Sequence, residues 1–140
     1  MAEQLIAQKL ESLRRCLSRI QARLPETAEQ LARDPDAQDI VALNLTRSIQ
    51  ICVDIASHWV SDHPELPAPQ SMGESFELLS RIDVISPELA ANLRRSVGFR
   101  NIMVHAYEEV DWDIVFVICT RHLDEFKEFA RDIVAAAGLE

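Results

Sequence analysis

The sequence predicts an all-α fold, an up-and-down bundle of about five helices, on three observations. Apolar residues recur at helical spacing along most of the chain. Glycine is scarce, with three among 140 residues, and the β-branched runs are short. Helix-start signals stand before four of the apolar segments: Asp34-Pro35, Ser71 with Glu74, Ser86-Pro87 and Asp111. At 140 residues, 1–140, the chain reads as a single helical domain with room for one core.

The first helix is expected from about Ala2 to Leu24. Ile6, Leu10, Leu13, Leu17, Ile20 and Leu24 alternate spacings of four and three, the seam of a bundle helix. Pro25 interrupts it, and a short helical piece follows through Leu31. Asp34-Pro35-Asp36 starts the second long helix, which runs to about Ser61. Its apolar residues, from Ile40 through Val60, occupy more than one face, which places it at the centre of the bundle. Arg47, Gln50, Asp54 and His58 form a polar strip along it. That strip is either its wet edge or the second wall of a groove.

Asp62 to Gln70 is a loop, because three prolines rule out a continuous helix. Ser71 and Glu74 read as a capping box for a short helix carrying Phe76, Leu78 and Leu79. Ser86-Pro87 opens the next helix, with Leu89, Leu93 and Val97 on its apolar side. Gly98 weakens it by about 1 kcal/mol relative to Ala, or marks a break in it, or a close approach by a backbone or a phosphate. Asp111 caps the last helix, whose stripe is Phe116, Cys119, Leu123, Phe126, Ala130 and Ile133, with Gly138 as the stop. The first two turns of that helix are apolar nearly all round, which points to a partner chain.

The chemistry-bearing residues concentrate in Phe99-Arg100-Asn101-Ile102-Met103-Val104-His105-Ala106-Tyr107. Read as a helix, Phe99, Ile102, Met103 and Ala106 form an apolar stripe. Arg100, Asn101, His105 and Tyr107 fall on the outward side. Arg100 and His105 stand about 140° apart and flank a groove, an arrangement suited to a site completed by a second surface. Arg100 and Tyr107 are nearly eclipsed if the helix is continuous.

Arg100-Asn101, four residues to His105, then Tyr107, resembles the Arg-X4-His-X-Tyr signature of the HepT family within the HEPN superfamily. Leu89-Ala90, Val97-Gly98-Phe99 and Val110-Asp111 fit its surroundings, so the likeness covers the second half well. The resemblance implies a metal-independent endoribonuclease, the toxin of a bacterial type II or type VII-like toxin–antitoxin pair. It implies a homodimer with a composite site, no cofactor, and an MntA-type minimal nucleotidyltransferase as antitoxin. Arg100 and His105 would be catalytic, Asn101 would bind the RNA substrate, and Tyr107 would accept AMP from the antitoxin. The alternative is a non-catalytic HEPN companion that binds a nucleotide or substrate for a nucleotidyltransferase.

The chemistry fits the residue types. In RNA the ribose 2′-hydroxyl is a built-in nucleophile. A histidine can move its proton near neutral pH, and an arginine fork can hold the phosphate oxygens. Net charge is −9, yet the segment from Arg81 to His105 carries +2 and the remainder −11. The motif thus lies in the one region that is not acidic. Cys16, Cys52 and Cys119 are odd in number and far apart, so they read as buried thiols in a reducing cytoplasm. The histidines show no metal-ligand spacing. The N-terminal Met1-Ala2-Glu3-Gln4 does not read as a signal peptide, and no apolar run reaches the ~20 residues of a membrane span. No phosphate-binding glycine loop or catalytic triad is present.

Overall fold

The computed structural model describes residues 2–139; Met1, which begins the polar N-terminal stretch, and Glu140 lie outside the described residues. The helices are α1 (Ala2–Arg23), α2 (Ala28–Arg33), α3 (Pro35–Ser61), α4 (Met72–Arg81), α5 (Pro87–His105), α6 (Trp112–Val117) and α7 (Leu123–Ala137). A 3₁₀ turn, Tyr107–Glu109, follows α5, and a π-helical turn, Ile118–His122, joins α6 to α7. Among the described residues there is no strand, as the sequence predicts.

The helix starts follow their predicted caps. Asp34 Oδ1 accepts from the Ala37 N–H at 3.2 Å, and Ser86 Oγ from the Leu89 N–H at 3.0 Å. At α4 the capping box is altered. Ser71 Oγ accepts from the Glu74 N–H, but Glu74 reaches back to the N–H of Gln70, one residue before the cap. The complete box belongs to α2, where Thr27 and Gln30 cap each other's backbone.

α3 is the axis of the bundle. It packs against α1, α2, α4, α5 and α7, and its Val41, Leu45, Ile49, Cys52, Ile55 and Ala56 are all but fully buried. By length and composition α3 would suffice to cross a bilayer, its most apolar 18 residues having a mean hydropathy of 1.3. The reason is its apolar surface on several faces, which here forms the centre of the core. The α1 seam packs onto it through Ile6, Leu13, Leu17 and Ile20. Phe76 of α4 meets Phe129 of α7 edge to face, centroids 5.8 Å apart. At Gly73 α4 lies against α5 without room for a side chain: a Cβ there would stand 2.8 Å from Arg94 Cγ.

The last helix departs from one continuous stripe. Its chain gains a residue in the π turn, where Thr120 Oγ1 bonds back to the Phe116 carbonyl at 2.8 Å. Cys119, Leu123, Phe126 and Ile133 still face the core. Ile114 and Val117 of α6 stay exposed, as the apolar excess there predicts.

Candidate active site

α5 carries the predicted motif and is placed by its buried side. Leu89, Ala90, Leu93, Val97 and Met103 face α3 and α4, which turns the opposite side to solvent. The predicted floor is narrower than expected. Met103 is buried and Phe99 and Ala106 half-buried, but Ile102 is 43% exposed. Among the described residues no neighbouring helix covers that face, so Gly98, Asn101, Ile102 and His105 form an exposed stripe at i, i+3, i+4 and i+7. α5 runs unbroken through Gly98, and a Cβ there would meet nothing within 4 Å. Contacts within this chain therefore do not require glycine at that position.

Arg100 is half-buried. Its Nη1 donates to Asn101 Oδ1 at 3.0 Å, while its Nε is buried without a hydrogen-bond partner. An arginine held this way presents its remaining N–H groups as an unfilled fork. His105 is the last residue of α5 and is exposed, with no side-chain hydrogen bond among the described residues.

Tyr107 is not eclipsed with Arg100, which corrects the continuous-helix expectation. Ala106 leaves helical geometry at φ −144°, ψ 53°, although its N–H still bonds the Ile102 carbonyl. Two acids, Glu108 and Glu109, follow at the negative end of the helix dipole, where continuation is least favoured. The turn carries Tyr107 sideways onto α3. Its hydroxyl donates to Asp39 Oδ1 at 2.7 Å, and its ring meets Trp112 edge to face at 5.7 Å. Burial, then the hydrogen bond and negative charge of Asp39, push the Tyr107 phenol well above its ordinary pKa.

The second wall of the motif groove is also not the predicted strip. Asp39, Ala42, Leu43 and Thr46 of α3 face Met103, Val104 and Tyr107 across about 290 Å³. Thr46 meets Met103 and Asp39 meets Tyr107, so α3 and α5 run antiparallel here. Arg47, Gln50 and Asp54 turn instead toward α1, where Lys9 reaches Asp54 at 3.5 Å. The two faces differ by one residue on α3, a rotation of about 100°. Asp39 carried no local signal, since its partner is 68 residues away.

The structure thus groups Arg100 with Asn101, and Tyr107 with Asp39 and Trp112. His105 ends α5, between them in sequence. Among the described residues no group of three His, Cys, Asp or Glu side chains is placed to hold a metal ion. All three cysteines are unpaired and buried; burial raises their thiol pKa values, that of Cys119 to about 12.

Comparison with known proteins gives a consistent result. Residues 13–133 match the model of the family described as ribonuclease HepT-like. The chain is 39% identical over 132 residues to the mRNA nuclease HepT of Shewanella oneidensis, covering 94% of this chain and 97% of that one. It is 30% identical over 99 residues to the tRNA nuclease HepT of Aphanizomenon flos-aquae, covering 69% and 65% respectively. Its structure is similar to that of the tri-AMPylated S. oneidensis HEPN toxin in complex with MNT antitoxin, with a TM-score of 0.85 and 39% identity. That match covers 93% of this chain and 96% of the other.

Proposed function

As the chain belongs to the HepT-like ribonuclease family, we propose that it is a metal-independent endoribonuclease, the toxin of a toxin–antitoxin pair, acting on RNA as a homodimer. The observation that carries the site assignment is the exposed α5 face. There an unfilled arginine fork at Arg100 and a histidine at His105 share one helix with Asn101, open to a second surface.

The reaction needs no other group. The ribose 2′-oxygen attacks phosphorus, and the bond to the 5′-oxygen of the next nucleotide breaks. His105 of one protomer takes the 2′ proton, and the copy of His105 in the second protomer protonates the leaving 5′-oxygen. Arg100 holds the non-bridging oxygens as charge builds on them. The products are a 2′,3′-cyclic phosphate and a 5′-hydroxyl. Two copies supply both the acid and the base, which one histidine cannot easily do in a single turnover. Exposed Ile102 and side-chain-free Gly98, on the same stripe as His105, let a second α5 approach closely. Three unpaired thiols fit a reducing cytoplasm.

An MntA-type nucleotidyltransferase would silence the toxin by placing AMP on Tyr107. The phenol oxygen attacks the α-phosphorus of ATP, pyrophosphate leaves, and Asp39, already the hydrogen-bond acceptor, takes the proton. The adduct sits at the His105 end of the groove, where its bulk and charge obstruct RNA. The test is cleavage of total cellular RNA by the purified chain in EDTA. Cyclic-phosphate ends that vanish in His105→Ala support the reading, and full activity in that variant overturns it.

A further inference from the structure

A second groove lies on the α1 side of α3. Arg15 and Arg19 of α1 and Arg47 of α3 line it with Ser12, Cys16 and Gln50, around about 390 Å³. All three arginines are exposed. Arg19 and Arg47 have no carboxylate partner among the described residues. Arg15 shares Glu11 at 3.4 Å with Arg14, which holds the same carboxylate at 2.6 Å. Arg47 and Arg19 line the groove beside Cys16; burial raises the Cys16 thiol pKa, and their charges pull against that rise. Three like charges facing one groove repel one another. In a chain of net charge −9, this is a local reversal of sign, with Glu11 the one carboxylate paired to it among the described residues.

Gln50 is tied down within the groove wall. Its Nε2 donates to Asp54 Oδ1 at 2.9 Å, which fixes the amide orientation, and its Oε1 is buried beneath the surface. A ligand matched to this wall carries negative charge. The groove also adjoins the motif groove. Arg47 follows Thr46, which lines the motif groove, and the two grooves open on either side of one edge of α3. A helix with its side chains is about 10–12 Å wide, a few nucleotides of single strand.

We propose that Arg15, Arg19 and Arg47 bind the ribose–phosphate backbone of the RNA strand beside the cleavage point. This rests on the ribonuclease reading above and adds a flanking subsite to it. Phosphate contacts of this kind position a strand without reading its sequence, so the subsite governs affinity more than the bond-breaking step.

The test uses the full chain in the His105→Ala background, so that RNA stays intact. The probe is a fluorescein-labelled, mixed-sequence single-stranded RNA of about 20 nucleotides, long enough to cross both grooves. Binding is followed by anisotropy across a salt series. R15Q/R19Q/R47Q should weaken binding by at least about tenfold and flatten the log–log salt slope by about 2, at roughly 0.7 per lost contact. R23Q/R33Q/R131Q, the same charge change elsewhere on the surface, should do neither. In the catalytically intact chain the first triple variant should raise KM and leave kcat near its starting value. Unchanged affinity and slope in that variant overturn the subsite, as does an equal effect of the control triple. If the His105→Ala chain binds no RNA, the subsite also falls. The ribonuclease reading is then judged separately, by cleavage of total RNA by the unsubstituted chain.

Discussion

The hydroxyl of Tyr107 donates a 2.7 Å hydrogen bond to Asp39 across 68 residues of chain. It ties the turn after α5 to the first turns of α3 at one end of the motif groove. Tyr107 is also the one tyrosine in the sequence, which makes this contact directly observable.

Phenolate absorbance should therefore report Tyr107 alone. Its titration midpoint should lie above that of a free tyrosine, because burial, and secondarily Asp39, disfavour the phenolate. Asp39→Asn should lower the midpoint without returning it to the free value, since the larger cause persists. Folding raises this pKa, so the stabilising share of the proton is complete below the unfolded value of about 10. It drains as pH climbs toward the folded value. Alkaline melting should accordingly begin later in Tyr107→Phe, measured against the parent by circular dichroism.

Removing either half of the catalytic pair should abolish cleavage while the fold survives. His105 is exposed at a helix end, and His105→Ala should lower the rate by about 10² to 10⁴ with little change in melting temperature. Arg100→Lys keeps the charge but loses the planar fork, so it should recover little of the activity lost in Arg100→Ala. Single-turnover assays on the same RNA would measure both. A lysine variant as active as the parent would show that only charge matters.

Co-expression with an MntA-type nucleotidyltransferase should add about 329 Da per AMP to the peptide containing Tyr107, the ordinary increment for an adenylyl group. Tyr107→Phe should stay folded and toxic and escape neutralisation. Asp39→Asn should slow the modification, because the phenol loses its proton acceptor, while leaving toxicity in place. Mass spectrometry of the intact chain reads both variants, and an Asp39→Asn chain modified at the parental rate would remove Asp39 from the transfer step.

Gly98 distinguishes the fold of one chain from the proposed dimer contact. Nothing within the chain touches a Cβ there, so Gly98→Ala should raise helix stability by up to about 1 kcal/mol. Gly98→Arg should fold as well as the parent, yet fail to dimerise and to cleave RNA. Light scattering gives the oligomeric state, and a dimer that tolerates Gly98→Arg would move the two-fold axis away from α5.

The architecture was largely legible in the sequence because its signals are local. The α1 seam follows from alternating spacings of four and three, and the starts of α3 and α5 from an acid or serine before a proline. The motif residues could be located for the same reason. What escaped is set at long range. The end of α5 depends on Tyr107 finding Asp39 and Trp112, and a helical wheel cannot register a turn made for a distant partner. The wheel likewise assigns Ile102 to the floor, because it has no knowledge that no helix lies opposite. Arg47 drew notice as part of a polar strip, but its grouping with Arg15 and Arg19 needed the packing of α1 on α3.

The early end of α5 has a consequence for how such a protein is kept in store. Arg100 and His105 ride on a long helix bolted to the core, whereas Tyr107 rides on a three-residue turn hung beside it. On the proposed reading, AMP added to that turn would leave α5 and its cap at Ser86 as they are. A silenced molecule would then be neither misfolded nor half-assembled, only covered at its site, and a single bond at one oxygen atom would separate it from an active one.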